Sequence, residues 1–172
     1  MKIYICEICG DAYIGSEKPA NCPFCGARSN FIKDGAEAKP IVNEKIEISE
    51  ESRKNLLETL DLEIDANAIY LCMAGKAKEY MIKAMYKRLA KVEFEHATIV
   101  TKLLGMDAPK AKELPCPDSD AENFEKTIAL EDHAAALYRE FVKKSAEKNI
   151  RIFFTALSQV EEEHKQLISE IA

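Results

Sequence analysis

Residues 93–96 read EFEH and residues 161–164 read EEEH, so a Glu-x-x-His pattern occurs twice in the chain. Residues three apart lie on one face of an α-helix. The apolar residues around each copy recur with the 3.6-residue period of a helix, and both pairs fall on the apolar side of that pattern. Each pair is therefore predicted to point into a core, where an unpaired carboxylate is strongly disfavoured.

The first of these pairs belongs to a predicted pair of helices that starts at Ser49. Ser49 is a suitable N-cap, and the two acidic residues that follow it suit a first helical turn. This helix should stop near Gly75. A second helix should begin around Glu79, and Gly105 is placed to end it.

A proline-rich segment, GMDAPKAKELPCPDSD (residues 105–120), separates this pair from the next. Its three prolines disfavour a helix and predict a long crossover loop. Ser119 and Glu122 have the spacing of a capping box and should open a third helix. A break near Lys148 and Asn149 should precede a fourth. Two short turns and one long crossover predict a four-helix bundle, a mainly α fold.

The two helix pairs are related by an internal repeat of 68 residues. In each half, a lone Glu precedes the Glu-x-x-His by 30 residues, at 63 and 93 and again at 131 and 161. Half of that separation runs out to the turn and half returns, at about 1.5 Å per residue, so both carboxylates should reach the same height. The matching residues are Glu63, Tyr70, Glu93 and His96 in the first half and Glu131, Tyr138, Glu161 and His164 in the second.

Two such hairpins packed face to face would place four Glu and two His in one layer of the core. A single Glu-x-x-His in a chain with 31% charged residues is usually a solvated face, but two buried copies with matching partners are not. Two divalent irons would offset the four carboxylates. The set matches the ferritin-like di-iron proteins. The predicted metal ligands, which are also the predicted catalytic residues, are Glu63, Glu93, His96, Glu131, Glu161 and His164.

A second metal site is predicted near the start of the chain, where CEICG and CPFCG repeat a Cys-x-x-Cys-Gly pattern. Paired patterns of this kind place four thiolates tetrahedrally around one metal, with disulfides as a remote alternative. The motif alone suits structural zinc as well as redox iron. The predicted ligands are Cys6, Cys9, Cys22 and Cys25.

The chain is accordingly divided into a four-cysteine domain (1–34), a linker with one possible extended segment (35–48) and the helical bundle (49–172). Outside the two sites, Cys72 is expected to be a packing residue, and Cys116 is assigned to no site. His133 is expected to lie at the surface or to support a ligand.

Four further residues repeat at the same spacing but have no assigned role. Tyr70 and Tyr138 are either core aromatics or hydrogen-bond donors to the predicted ligand carboxylates. Glu95 and Glu163 adjoin the histidines, and a solvated face is the simpler interpretation for them.

The charge and composition exclude some functions. A net charge of −6 and a pI near 5.3 leave no basic surface for nucleic acid. No apolar run reaches the roughly 18 residues of a membrane helix, and the start of the chain lacks a signal sequence. We therefore expect a cytoplasmic protein with no membrane partner, where thiols stay reduced and six cysteines indicate metal before disulfides.

Both modules together resemble the rubrerythrins. YICEICGDAYIG (4–15) and NCPFCGA (21–27) are similar to the rubredoxin-like domain of that family, and residues 49–172 to its ferritin-like domain. Here the rubredoxin-like part comes first, as in reverse rubrerythrins. The resemblance implies iron in the four-cysteine site and a di-iron centre whose irons could share an oxo or hydroxo bridge. It further implies reduction of hydrogen peroxide to water, with the cysteine-ligated iron relaying electrons from an external reductase or rubredoxin-type protein, and a dimer or tetramer.

One position departs from the family pattern. Typical rubrerythrins carry an extra Glu three residues after the ligand that corresponds to Glu131, and here that position is Ala134. This makes reduction of dioxygen, or ferroxidase and iron handling, the alternative to peroxidase chemistry. A structural or regulatory protein with zinc in the four-cysteine site is a third hypothesis.

Overall fold

The computed structural model describes all 172 residues and is mainly helical. The predicted four-helix bundle with one long crossover, preceded by a small four-cysteine module, is confirmed. The helices are α1 (Glu50–Lys76), α2 (Tyr80–Leu104), α3 (Asp120–Lys144) and α4 (Lys148–Ile171), and the strands are β1 (Lys2–Cys6), β2 (Ala12–Gly15) and β3 (Ile32–Asp34).

The helix ends follow the predicted caps closely. The Ser49 side chain accepts a hydrogen bond from the backbone N–H of Ser52 at 3.3 Å, and α1 continues one residue past Gly75 before it ends. Gly105 ends α2 in the left-handed conformation, with φ of +65°, which glycine adopts without steric cost. The break before α4 lies at residues 145–147, slightly earlier than predicted.

The segment between α2 and α3 contains no helix or strand, as its prolines predict. Ser119 caps α3 by accepting from the N–H of Glu122 at 3.3 Å, and its hydroxyl donates to the Glu122 carboxylate at 2.6 Å. The long crossover therefore ends at the predicted cap.

The helices form two antiparallel hairpins, α1 with α2 and α3 with α4, and α1 also packs against α3. A layer of buried polar residues divides the apolar core in two. One part contains Leu56, Leu60, Tyr138 and Phe154. The other part, towards the opposite end of the bundle, contains Ile69, Met73, Tyr86 and Ile168. The polar layer is where the predicted carboxylates lie.

The N-terminal module is a three-stranded antiparallel sheet in the order β2-β1-β3. The following segment contains a short 3₁₀ helix at Ile41–Asn43 and no strand, and the extended segment expected there stays a prediction. The buried Ile41 donates its N–H to the Glu7 carbonyl at 2.8 Å, which ties the segment to the module. The domain boundaries at 34 and 48 stay predictions.

The module and the bundle share one hydrophobic core, because the four cysteines belong to the same apolar cluster as residues of α1, α2, α3 and α4. Polar contacts secure the interface at its edge. Glu163 accepts hydrogen bonds from Asn21 at 2.7 Å and from Arg28 at 2.6 Å, and Arg88 donates to the Pro23 carbonyl. Separately, none of the four helices is long and apolar enough to cross a membrane.

Glu147 joins the two hairpins at the bundle end nearest the linker. Its carboxylate accepts from the Ser49 N–H and the Ser52 hydroxyl, each at 2.5 Å. Partial burial acts against ionisation, but these hydrogen bonds outweigh it and lower the pKa of Glu147 to about 2. The contribution to stability is full above the unfolded pKa of about 4.3 and is lost as the pH falls through about 2.

We expect Glu147→Gln to lower the free energy of unfolding at neutral pH by about 1 kcal/mol, because a charged acceptor at a partly exposed site is lost. Thermal unfolding should shift down by about 2–4 °C for a chain of this length. The difference from the unsubstituted protein should shrink as the pH falls below 4. Glu140→Gln, which removes an exposed ion pair with Lys143, is the control and should change little. Equal shifts in both variants would contradict the role of Glu147.

Candidate metal centres

The predicted carboxylates and histidines of the bundle converge in one buried layer. Their ligand atoms form two overlapping groups, and within each group all atoms lie within 4.8 Å of one another. Each group takes its residues from three helices, and the two groups together use all four, so they arise only from the packing of the bundle. The groups are Glu63, Glu93, His96 and Glu161, and Glu93, Glu131, Glu161 and His164.

Glu93 and Glu161 belong to both groups and face both histidines. Glu93 has one oxygen 3.1 Å from His96 Nδ1 and the other 3.3 Å from His164 Nδ1. Glu161 likewise has its oxygens 3.4 Å and 3.2 Å from the two Nδ1 atoms. These two carboxylates therefore face both groups, which is where carboxylates shared by two metal ions would lie.

Glu63 and Glu131 each face one histidine. A Glu63 oxygen lies 3.4 Å from His96 Nδ1, and a Glu131 oxygen lies 3.6 Å from His164 Nδ1. The arrangement follows the 68-residue repeat, with one terminal Glu and one His for each site. All six predicted residues are brought together, and their role as ligands is a proposal that the geometry supports.

Burial dominates the electrostatics of this layer. Desolvation raises the pKa of Glu63 to about 8, and it raises the pKa of Glu131 well above the usual range, with Glu161 adding repulsion. For His96, burial acts to lower the pKa, but the surrounding carboxylates, Glu63 first, raise it well above its ordinary value. Without a bound cation, the burial and mutual repulsion of these ionisable groups are unfavourable.

Several ligand atoms have no hydrogen-bond partner although they are fully buried. They include both carboxylate oxygens of Glu93, one of Glu161 and Nδ1 of His96. Buried polar atoms are almost always satisfied, and each exception needs a partner. Oxygen and imidazole donors in this number suit two transition-metal ions, so the residues present fit a di-metal centre.

The repeated tyrosines support the terminal carboxylates across the bundle. Tyr70 donates to Glu131 at 2.6 Å, and Tyr138 donates to Glu63. Of the two interpretations open from the sequence, the hydrogen-bonding one is confirmed. Desolvation, reinforced by these carboxylates, raises the pKa of both tyrosines well above the usual range, so both hydroxyls keep their protons. Each tyrosine fixes the orientation of a carboxylate contributed by the other hairpin.

The four cysteines of the N-terminal module form a second buried cluster. The Sγ atoms of Cys6 and Cys25 lie 3.7 Å apart, and those of Cys9 and Cys22 lie 3.8 Å apart. A metal–sulfur bond of about 2.3 Å gives tetrahedron edges of about 3.8 Å. Both pairs match such an edge, and all four sulfurs lie within 4.8 Å of one another, so the cluster suits one tetrahedral ion.

Glycine closes each half of this cluster. Gly10 and Gly26 have φ of +85° and +78°, and their N–H groups donate to the carbonyls of Cys6 and Cys22. Gly26 also touches α4, because a Cβ there would lie 2.8 Å from Val160 Cγ1. The absent side chain lets the second Cys-x-x-Cys turn lie directly on the bundle.

A direct hydrogen bond joins the two sites. His96 Nε2 lies 2.9 Å from the Cys25 carbonyl oxygen. A carbonyl only accepts, so Nε2 carries a proton, and Nδ1 is the nitrogen that faces Glu63, Glu93 and Glu161. A metal bound at Nδ1 would replace the proton there, and the hydrogen bond at Nε2 would keep the ring in the matching tautomer. Both sites belong to the same chain.

A cavity of about 130 Å³ lies between α1 and α3 and reaches the carboxylate layer. Ala66 and Ala134, which match in the repeat, leave this space open. His133 is exposed and lines the cavity, in agreement with the expected surface position. The apolar part of the wall includes Leu62, Ile69 and Leu130.

Three expectations from the sequence are wrong. Cys72 is not a simple packing residue, because it forms a disulfide with Cys116, and the expectation that thiols outside the metal site stay reduced fails for this pair. Their distance in sequence, 44 residues, gave no signal of pairing. Glu95 and Glu163 do not form a solvated face, since both face the N-terminal module. Burial, with Asp11 next in effect, raises the pKa of Glu95 to about 7.

Comparison with solved structures defines the class of the fold. The manganese catalase KatB from Anabaena superposes with a TM-score of 0.58 at 19% identity, over 75% of each chain. A second structure, of KatB from Anabaena PCC7120, gives a TM-score of 0.60 at 20% identity over the same shares. The helical part is thus a ferritin-like four-helix bundle.

Sequence comparison then shows which family the chain is similar to. Residues 54–114 match the family model described as Rubrerythrin. Reverse rubrerythrin-1 from Clostridium acetobutylicum is 33% identical over 114 residues, which cover 61% of this chain and 63% of that protein. The match thus spans less than two thirds of the length of this relative. Together with the four-cysteine module at the N-terminus, these findings support a rubrerythrin-like di-iron protein in the reverse domain order. The cofactors of this family are a di-iron centre and a rubredoxin-like iron, and both residue clusters are present.

If the six residues bind two irons, removing a terminal Glu should release one of them. We expect Glu63→Ala or Glu131→Ala to lower the iron content from about three to about two per chain, with the visible spectrum of the cysteine-ligated iron retained. Tyr138→Phe should keep all three but weaken binding by about 10- to 100-fold in a chelator competition. Elemental analysis measures the content. Glu162→Ala, next to Glu161 but outside the layer, is the control, and full iron in Glu63→Ala would refute the assignment.

Proposed function

We propose that the protein is a peroxidase that reduces hydrogen peroxide to water at the di-iron site. The reaction consumes one peroxide, two electrons and two protons and yields two waters. The observation that carries the proposal is the hydrogen bond between His96 Nε2 and the Cys25 carbonyl, which joins a redox-type cysteine cluster to the carboxylate layer. A storage site for iron has no need of such a link.

The six residues of the bundle would bind the metals in two ways, as ligands shared by both irons and as ligands of one iron. Glu93 and Glu161 would lie between the two irons, and Glu63 with His96, and Glu131 with His164, would complete each coordination sphere. When bound, the two irons supply the two electrons for peroxide, and the cysteine-ligated iron supplies a one-electron path by which they are replaced. Tyr70 and Tyr138 keep the terminal carboxylates oriented by donating hydrogen bonds to them.

The cavity between α1 and α3 favours a small oxidant. Its volume of about 130 Å³ holds only a few molecules of the size of water, each of which occupies about 30 Å³ in the liquid. Apolar side chains form much of its wall and would exclude larger polar substrates. The exposed His133 lies at its edge.

The relay can operate within one chain. Cys25 offers its carbonyl to His96, so only one hydrogen bond lies between a cysteine of one cluster and a histidine of the other. Ion pairing of Arg28 with Glu163 holds the module in this position. External electrons would enter from a reductase or a rubredoxin-type protein. Exposed apolar side chains on the module, Phe24 beside the cysteines and the paired Ile3 and Ile14, favour docking of such a donor.

Dioxygen reduction or ferroxidase and iron handling is the second candidate. The observation that favours it is the symmetric ligand set, because Ala134 lines the cavity where the family pattern has an additional Glu. Iron storage requires a large closed shell, whereas a peroxidase operates as a dimer or tetramer. Light scattering of the iron-loaded protein therefore separates storage from the leading proposal, which predicts the small assembly.

The proposal is tested by reducing the protein anaerobically and adding peroxide or oxygenated buffer. We expect the absorbance of the oxidised cysteine-ligated iron to return with peroxide about tenfold faster than with an equal concentration of dioxygen, since discrimination by tenfold needs only about 1.4 kcal/mol. The absorbance is followed by stopped flow, and the amount of peroxide consumed is measured in the same samples. A cysteine-ligated iron that stays reduced over several equivalents of peroxide would overturn the relay, and faster oxidation by dioxygen would favour the second candidate.

Docking of the module should matter for the relay more than for metal binding. Glu163→Ala removes the acceptor of Asn21 and Arg28. Small displacements of reacting groups can lower rates by up to about 100-fold, so we expect reoxidation of the cysteine-ligated iron to slow by about tenfold with iron content unchanged. Glu162→Ala, whose side chain contacts Arg139 and Lys165 and not the module, is the matched control. Equal rates in the two variants would contradict a relay across this interface.

A further inference from the structure

The disulfide between Cys72 and Cys116 lies outside both metal clusters and attaches the crossover to the bundle. Its Cα atoms are 5.9 Å apart, and it joins the C-terminal part of α1 to the proline-rich segment between α2 and α3. That segment has no helix or strand of its own. Its position therefore depends on the contacts it makes with α1.

The other contacts of the segment with α1 are weaker. Lys76 donates to the Cys116 carbonyl and to the Asp118 carboxylate, each at 2.6 Å, and Lys112 pairs with Asp65. Exposed ion pairs of this kind contribute little individually. The disulfide closes a loop of more than forty residues and is the strongest constraint on the segment.

The attached segment reaches the edge of the cavity that leads to the carboxylate layer. Asp65, the partner of Lys112, lines that cavity two positions from Glu63. Cys72 lies about two helical turns further along α1. Holding Cys116 on Cys72 therefore holds Lys112 at the cavity edge.

The two sulfurs differ in access. Cys116 is 9% exposed, whereas Cys72 is half-buried and lines an open cleft of about 360 Å³ together with Lys112 and Leu114. A small oxidant can approach Cys72 through this cleft. The thiolate is the reactive form of cysteine, and of the two sulfurs the one of Cys72 is the more accessible to an oxidant from solvent.

We propose that Cys72 and Cys116 are a redox-active thiol pair, which hydrogen peroxide closes into a disulfide and a dithiol reductant reopens, so that the crossover is fixed at or released from the cavity edge. The pair would thus respond to peroxide independently of the metal sites. Hydrogen peroxide is the oxidant of the thiol pair, and this reaction does not depend on the peroxidase function.

The chemistry balances in two steps. The Cys72 thiolate attacks one peroxide oxygen, the O–O bond breaks, and the departing hydroxide takes a proton to form water, which leaves a sulfenic acid on Cys72. The Cys116 thiol then attacks the Cys72 sulfur, the S–O bond breaks, and a second water forms with the thiol proton. The two sulfurs together lose two electrons, and the peroxide gains them. A dithiol returns two electrons and two protons and becomes a disulfide itself.

Thiol mapping of the metal-loaded protein tests this reaction. The protein is reduced with dithiothreitol, desalted without oxygen and titrated with peroxide beyond the amount that the metal sites consume; it is then denatured and alkylated. We expect Cys72 and Cys116 to be alkylated before peroxide and protected after it, and dithiothreitol to restore both. Alkylation of both cysteines at every peroxide level, or a bond that dithiothreitol does not open in the folded protein, would overturn the proposal.

Single substitutions test the order of attack. In Cys116→Ser, a dicarbonyl probe such as dimedone should trap a sulfenic acid on Cys72. In Cys72→Ser, Cys116 should give no adduct at the same peroxide concentration. The reverse pattern would overturn the assignment of Cys72 as the attacking thiol.

Limited proteolysis tests the structural consequence. Lys110 and Lys112 are trypsin sites in the crossover, and we expect reduction of the disulfide to speed their cleavage by about tenfold, because local opening becomes easier. A variant with both cysteines changed to Ser should be cleaved fast whether or not reductant is present. Leu71→Ser, an exposed position beside Cys72, is the control and should retain the redox dependence. Equal cleavage of the oxidised and reduced forms would show that the bond does not hold the segment.

Discussion

Four carboxylates buried in one layer of a helical core are the constraint on which the rest of this structure depends. Each carboxylate comes from a different helix, and the carboxylates of Glu93 and Glu161 face both histidines. Such a layer is costly without cations, which is visible in the raised pKa of Glu63 and in the buried oxygens of Glu93 that lack partners. The hairpin repeat, the short tyrosine contacts and the separation of the apolar core into two parts all serve to place and orient this layer.

The N-terminal module breaks the symmetry that the repeat creates. His96 and His164 are equivalent in sequence, yet only His96 donates to a cysteine carbonyl of the module. The module covers that side of the bundle because Gly26 has no side chain to collide with Val160 and because Glu163 holds Arg28. The carboxylate layer has nearly two-fold symmetry, but only its His96 side is hydrogen-bonded to the four-cysteine cluster. The cavity reaches the layer from elsewhere, between α1 and α3.

The predicted elements that proved most accurate are those with a local physical cause. Ser49, Gly105 and Ser119 cap their helices as expected, because capping depends on a few neighbouring residues. The short 3₁₀ turn at Ile41, by contrast, was not predicted, because it depends on a contact with the distant Glu7 carbonyl. Tyr70 and Tyr138 could be interpreted in two ways from the sequence, and only the crossing of the hairpins decided which carboxylate each would meet.

The sequence by itself determined the helical hairpins, their repeat, the two sets of candidate ligands and the resemblance to rubrerythrins, because periodicity and motif spacing are properties of the chain. Only the tertiary structure decided which carboxylates face both histidines, that the cysteine module contacts His96 of its own chain, and that Cys72 meets Cys116. The reason is that each of these depends on how distant segments pack. The proline-rich crossover has no hydrophobic periodicity from which its position could be predicted. The sequence around Cys72 likewise contains no local signal that identifies its disulfide partner.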